Sequence, residues 1–221
     1  IRKPSDMGFA DDGWNLPELI EMHHEVQSAP LDGQLFAMPV VGLPSQRDER
    51  RATITERCDL AAEKLLGHDS GVAWCHLNAE ADYITNILPG AVNLSGSDKD
   101  EAKEEKFAAF KSGQIKYLVT KPKIAALGVN WQHCNACTYF DDYSYEQYYQ
   151  AVRRFWRFGQ KRPVTVHQIG TTSLSTVASS RKRKAEAADV MFQSMMEHMV
   201  DAQKHRNIFK ETEAVNLPSW L

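Results

Sequence analysis

SYEQYYQAVRRFWRFGQ, residues 144–160, sets three arginines among large aromatics, with no Gly or Pro from Ser144 to Phe158. Gly159 then supplies a stop, so the spacing predicts a helix over 144–158. At about 100° per residue, Gln150, Arg154 and Arg157 fall within a stripe roughly 60° wide, and Arg153 flanks it. Tyr148, Ala151, Val152 and Phe155 point to the other side, where an apolar face can dock on a core and hold the stripe outward. Basic runs are commonly solvated faces. Arginine chosen three times over lysine, with an amide at one end, instead suits a planar, multiply charged oxygen ligand.

Outward from this stretch, short apolar runs alternate with helical patterns. The runs are GVAWCHL (71–77), AVNL (91–94), IKYLV (115–119), CTYF (137–140) and VTVHQI (164–169). Helix candidates lie at about 79–87, 98–111 and 144–158. Such alternation predicts an α/β fold with a parallel sheet covered by helices on both faces. Ligands of these sheets bind beyond the carboxyl ends of the strands. Upstream, Ile54, Cys58, Ala61 and Leu65 are spaced i, i+4, i+7, i+11, which predicts one helix from Arg47 to Leu66. Residues 1–45, punctuated by Gly and Pro, read as an extended N-terminal arm in which LIEMHHEV (19–26) is a strand candidate. Residues 46–170 form the lobe proper. Residues 171–221 form a C-terminal helical extension, with a helical stretch at 173–207 that contains RKRK (181–184), a basic helix turn or a nuclear signal.

The net charge of −3 conceals a division: residues 1–110 carry 10 Lys+Arg against 20 Asp+Glu, residues 111–184 carry 13 against 3, and residues 185–221 carry 3 against 6. A stretch this basic within an acidic chain points to a local polyanion site for a nucleotide or nucleic acid. Four cysteines in 221 residues do not form a secreted disulfide framework. Cys134 and Cys137 have CxxC spacing, but no second pair completes a zinc site. Buried thiols of a cytoplasmic protein are the expectation, with no bound metal. No apolar run approaches ~18 residues and no signal pattern opens the chain. A start at Ile1 suggests a piece of a longer protein.

Three loops carry a resemblance. LSGSDKDEAKEEKFAAFKSG (94–113) resembles the L-x-G-S-x(5)-R-x(3)-I-x(2)-F element of Swi/Snf-type translocases and related phage or prophage helicases, with Lys103 where arginine is usual. TKPKIAALGVNWQ (120–132) resembles their motif V, with Ala125 and Ala126 where glycines are common. SYEQYYQAVRRFWRFGQ resembles motif VI, Q-A-x-x-R-x-x-R-x-G-Q, at each defining position. Over about residues 70–180 the chain is thus similar to the second RecA-like lobe of superfamily-two helicases.

The resemblance implies a RecA-like fold and a role for each position. Arg157 would be the arginine finger and Arg154 its companion on the γ-phosphate of ATP. Gln150, Gly128 and Asn130 would border the nucleotide. Thr120, Lys121 and Lys123 would lie near the nucleic-acid backbone, with a solvated loop as the alternative for the lysines. His76 and Asn78 would contact phosphates of the tracked strand, or Asn78 would merely cap a strand end. The implied partners are DNA, with RNA left open, and an N-terminal RecA-like lobe holding most of the ATP and Mg²⁺. The chain contains no Gly-Lys dipeptide and hence no phosphate loop of the G-x(4)-G-K-[ST] kind. DEAK (100–103) falls in a charged helix and not at the end of an apolar strand. The expectation is half of an ATPase, inactive alone. A nucleic-acid-binding module that keeps the fold without the motor is the alternative. A Rossmann-type methyltransferase would need a Gly-rich loop after its first strand, which is missing.

Overall fold

GVAW, YLVT and ACTYF have no polar alternation, so strands built from them need cover on both faces. The computed structural model of the chain describes residues 15–27, 43–124, 129–142, 144–172 and 183–199, and there these segments are the fully buried strands β2 (Gly71–Trp74), β4 (Tyr117–Thr120) and β5 (Ala136–Phe140). Together with β1 (Leu19–Val26), β3 (Ala91–Leu94) and β6 (Val164–Thr171), they form one sheet in the order β1-β6-β5-β2-β4-β3. Each neighbouring pair is parallel. The helices are α1 (Leu43–Ala52), α2 (Ile54–Leu66), α3 (Asn78–Ile87), α4 (Asp100–Lys111) and α5 (Tyr145–Val152).

Successive strand residues face opposite sides, and the core divides accordingly. Val72, Trp74, Leu118, Cys137 and Tyr139 pack with Phe110 of α4, with Tyr148 and Val152 of α5, and with Trp131 and Phe155. Ala73, Cys75, Tyr117, Val119 and Phe140 pack on the other face with Cys58, Ala61 and Leu65 of α2 and Ile84 of α3. All four cysteines are free and buried. Burial pushes the Cys58 thiol up to about 12 and the Cys134 thiol up to about 11, which leaves both inert at neutral pH.

Three expectations about elements need correction, and a fourth is met where the residues are described. The strand candidate within the arm is an integral sheet strand: β1 pairs with β6 from Leu19↔Val164 to Val26↔Thr171, so the sheet begins well before residue 46. The single helix of 47–66 is two helices parted at Thr53, whose hydroxyl donates back to the Glu49 carbonyl (2.8 Å) and accepts from Arg57 Nε (2.9 Å). The helix of 144–158 stops at Val152. In the C-terminal extension, β6 runs through Thr171 and residues 183–199 are helical; the rest of the predicted 173–207 helix, and Arg181 and Lys182 of RKRK, lie outside the described residues. No described helix is long and apolar enough to cross a membrane.

A histidine cluster fastens β1 to its neighbours. His24 Nε2 and His167 Nδ1 are 3.0 Å apart, and the His68 ring lies 5.8 Å from that of His167, centroid to centroid. Burial, then the neighbouring His24, His68 and Lys64, lowers the His167 pKa to about 4. A base whose folded pKa lies below its unfolded value of 6.5 leaves the unfolded chain with the extra proton. The stability it contributes is full above pH 6.5 and is lost as pH falls towards about 4. The urea midpoint should therefore decline across that window, and His167→Gln should flatten the decline; parallel curves for the two proteins would contradict this account.

Candidate functional site

Ser144 opens α5 by accepting from the Gln147 amide (3.3 Å). Beyond Val152 the chain tightens, as Arg154 N bonds Ala151 O (3.3 Å), Phe155 N bonds Val152 O (3.1 Å) and Gln160 N bonds Arg157 O (3.0 Å), all of i→i−3 type. The Arg154 carbonyl is engaged from outside the segment, by Trp131 N at 3.0 Å. The turn keeps Arg154 and Arg157 close enough for their charges to interact. Burial, then the Arg157 charge, lowers the pKa of Arg154. Arg154 Nη1 reaches Val129 O at 3.4 Å. Among the described residues neither arginine has an ion pair, and the Arg157 side chain has no hydrogen-bond partner.

Arg153 differs. It caps α5, donates to the Trp156 carbonyl (3.0 Å) and stacks at 5.7 Å from both the Tyr149 and Trp156 rings. Gln150 is exposed and donates to Glu146 (3.0 Å).

The loop resembling motif V is stitched to this segment. Asn130 Nδ2 donates to Gln132 Oε1 (3.2 Å), and Gln132 Nε2 donates to the Phe158 carbonyl. Gly159, at φ +95°, lies against Gln132. Gln160 is 6% exposed; its amide donates to Cys134 O (3.0 Å) and accepts from the amides of Lys161 and Arg162. The structure thus brings Asn130 beside the arginine segment. Gly128, with Ala125 and Ala126, lies outside the described residues.

At the carboxyl edge of β2, β3 and β4 the remaining candidates separate. Lys121 and Asn78 meet, Nζ donating to Oδ1 at 2.5 Å, and Lys123 is exposed nearby in sequence. Thr120 is 1% exposed and its hydroxyl donates to the Leu94 carbonyl (3.0 Å), so its role is to tie β4 to β3 and not to meet a backbone phosphate. His76 is likewise turned inward. Its Nε2 donates to Phe140 O (3.0 Å), which leaves Nδ1 as the unprotonated nitrogen, 3.7 Å from Asp142. Burial and the Arg50 charge lower its pKa, so the ring is neutral and positions the turn.

Several residues of this edge escaped the sequence reading. Arg50 donates to the Asp141 carbonyl (2.5 Å) and pairs with Asp142 at 3.4 Å; Arg57 pairs with Glu80 at 2.8 Å. An arginine at an otherwise apolar helical position, as Arg57 is among Ile54, Cys58 and Ala61, is the one available signal.

The fold is RecA-like, as in helicase C-terminal domains. Residues 64–159 match the family model described as helicase conserved C-terminal domain. The C-terminal part of the Fun30 ATPase domain is similar at 17% identity and a TM-score of 0.51, over 70% of this chain and 54% of that one. The C-terminal domain of the DEAD-box protein Dbp5 is similar at 13% identity and a TM-score of 0.55, over 75% and 84%. A Dbp5 variant from S. cerevisiae bound to Gle1 and IP6 gives 12% and 0.52, over 66% and 46%. The chain therefore spans about half of the Fun30 chain it resembles. No curated protein matches it by sequence.

The stitching predicts a cost at Gly159. A Cβ there would meet Gln132 Nε2 at 2.8 Å, on a backbone that L side chains avoid. Gly159→Ala should lower unfolding free energy by about 1–3 kcal/mol, read as a lower urea midpoint at unchanged slope. A change within ~0.5 kcal/mol, ordinary for a surface site, would show that the loop and the arginine segment are not locked together.

Proposed function

We propose that the chain is the C-terminal motor lobe of an ATP-dependent DNA helicase or translocase. It supplies an arginine finger and part of the nucleic-acid track to a nucleotide held mainly by an N-terminal lobe. The observation that carries this reading is the Arg154–Arg157 pair. Two guanidinium groups are held close enough for their charges to interact, one of them partly desolvated, with no acid paired to either among the described residues. A solvated basic face has no need of this arrangement; a triphosphate does, and the pair fits its charge and its several oxygens. Arg157, Arg154 and Gln150 would face the phosphates, with Asn130 and Gly128 at the border. The superfamily-two character, the Swi/Snf or phage type and the use of DNA rest on the motif resemblance.

ATP and Mg²⁺, when bound, supply the scissile phosphoanhydride and the charge that neutralises it. The lobe's own contribution is positive charge fixed before the reaction begins. Arg157 stabilises negative charge as it builds, and an arginine finger is worth roughly 10³ to 10⁵ in rate. The aromatic ring cluster of Trp131, Phe155 and Trp74, with centroids 5.7 to 6.2 Å apart, holds the segment still. Alone, the chain should show no significant ATP hydrolysis.

In a protein carrying both lobes, Arg157→Lys should be nearly as damaging as Arg157→Ala. A flexible ammonium does not reproduce the forked geometry. The expected loss is in kcat, roughly 10² to 10⁴, with nucleic-acid affinity nearly kept. Arg153→Ala should cost far less activity, because its contacts are to Tyr149, Trp156 and a carbonyl of its own segment. Equal losses at Arg153 and Arg157, with lysine substituting freely, would sink the finger assignment and leave the nucleic-acid module.

A further inference from the structure

Helix α1 holds three arginines whose fates diverge. Arg50 is 8% exposed and is spent on the Asp141 carbonyl and the Asp142 carboxylate. Arg47 and Arg51, one helical turn apart, are exposed and line a cleft of about 290 Å³ together with Leu77, Asn78, Ala79 and Lys121. The cleft thus gathers three cations from two separate elements. The only carboxylate paired with any of them among the described residues is Asp48, 3.7 Å from Arg51, with both side chains more than half exposed; such pairs are weak.

One acid beside the cleft is withdrawn from it. Glu80, on the first turn of α3, is turned inward, where it accepts from the amides of His76 (2.8 Å) and Leu77 (2.9 Å) and is neutralised by Arg57. Lys121 and Asn78, in contact with each other, also line a second cleft of about 480 Å³ with Asn93, Ser95, Gly96 and Ser97. The two clefts are therefore consecutive along the carboxyl edge of the sheet and share a Lys121–Asn78 ridge.

We infer that Arg47 and Arg51 form a phosphodiester seat in this first cleft, so that a polynucleotide backbone crosses the ridge at Lys121 and continues over α1. The inference rests on the nucleic-acid part of the proposed function and extends it to residues that no motif includes. Arg50 makes the seat rigid, since it anchors α1 to the loop between β5 and α5. The ligand chemistry is a row of singly charged phosphates, which DNA and RNA share. Such contacts release counterions and carry no base preference.

The test is fluorescence anisotropy of the chain with a labelled 30-nucleotide DNA, its RNA counterpart and the DNA duplex, across a salt series. Arg47→Ala/Arg51→Ala should weaken binding about tenfold or more near 0.1 M salt and reduce the slope of log K against log salt by about 1 to 2. Arg47→Lys/Arg51→Lys should keep most of the slope, which also guards against a merely unfolded helix. Arg162→Ala, just ahead of β6 and bonded to the His133 carbonyl (2.5 Å), should change neither quantity. A loss with only DNA or only RNA would support the seat and identify the polymer. Unchanged binding in the Arg47/Arg51 variant, while Lys121→Ala weakens it, would overturn this inference and leave the proposed function standing. No binding by the unaltered chain to any of the three would remove both.

Discussion

The carboxyl edge of the sheet is organised by one buried ion pair, Arg57 with Glu80, at 1% and 0% side-chain exposure. Desolvation alone would raise the Glu80 pKa, but the Arg57 charge and the amides of Leu77 and His76 outweigh it, so the carboxyl is held below its ordinary range. Removing two charges from water is costly, and a pair of this kind persists only when its remaining valences are satisfied. Here Arg57 Nε donates to Thr53 Oγ1 and its Nη2 to the Arg50 carbonyl, the guanidinium lies 4.6 Å over the Phe140 ring, and Nη1 alone is left buried without a hydrogen-bond partner. Those contacts reach α1, the break between α1 and α2, β5 and the start of α3. Loss of either partner alone would strand a buried charge, an effect of about 3–5 kcal/mol.

The elements at the edge are placed relative to this pair. Because Arg57 holds the Arg50 carbonyl, α1 leaves α2 at a break, and the Arg50 side chain meets the residues that follow β5. Gly170 admits Asp141 where a Cβ would collide with its carboxylate. Three residues on, Ser144 starts α5 and the arginine segment follows. On the far side of that segment β1 is clamped as well: Trp156 Nε1 donates to Pro17 O (2.7 Å), and Tyr148 donates to Glu21, which also accepts from Gln168 (2.9 Å). Both ends of the arginine segment are thus bonded to the sheet or its margin, and it has little freedom to follow a ligand.

Much of this fold was legible because parallel strands buried on both faces must be written as continuous apolar runs, and GVAW, YLVT and ACTYF are. β1 was harder to place: its residues are mostly half-buried or exposed, as suits an edge strand, and only its pairing with β6 shows that it belongs to the sheet. The end of α5 was not legible, since nothing between Val152 and Phe158 breaks a helix, and the bond that holds the segment beyond it comes from Trp131, twenty-three residues upstream, whose amide takes the Arg154 carbonyl. Local spacing cannot report a non-local donor. For the same reason Thr120 and His76 looked available to a phosphate, although Leu94 and Phe140 already hold their side chains.

The three arginines of the motif show how a chain divides identical side chains among different tasks. Had the helix continued, Arg153, Arg154 and Arg157 would differ only by angle around one axis. Because it stops, Arg153 becomes a cap whose guanidinium donates to a carbonyl and lies near two rings, while Arg154 is left within reach of the Arg157 charge. Like charges held together oppose folding, and a protein of ordinary marginal stability keeps them only when the surrounding packing fixes the backbone and a ligand rewards the arrangement. The packing is visible in Trp131, Phe155 and Gln160. An anion would relieve this repulsion, and under the proposed function it would meet Arg157, whose guanidinium has no acid paired to it among the described residues.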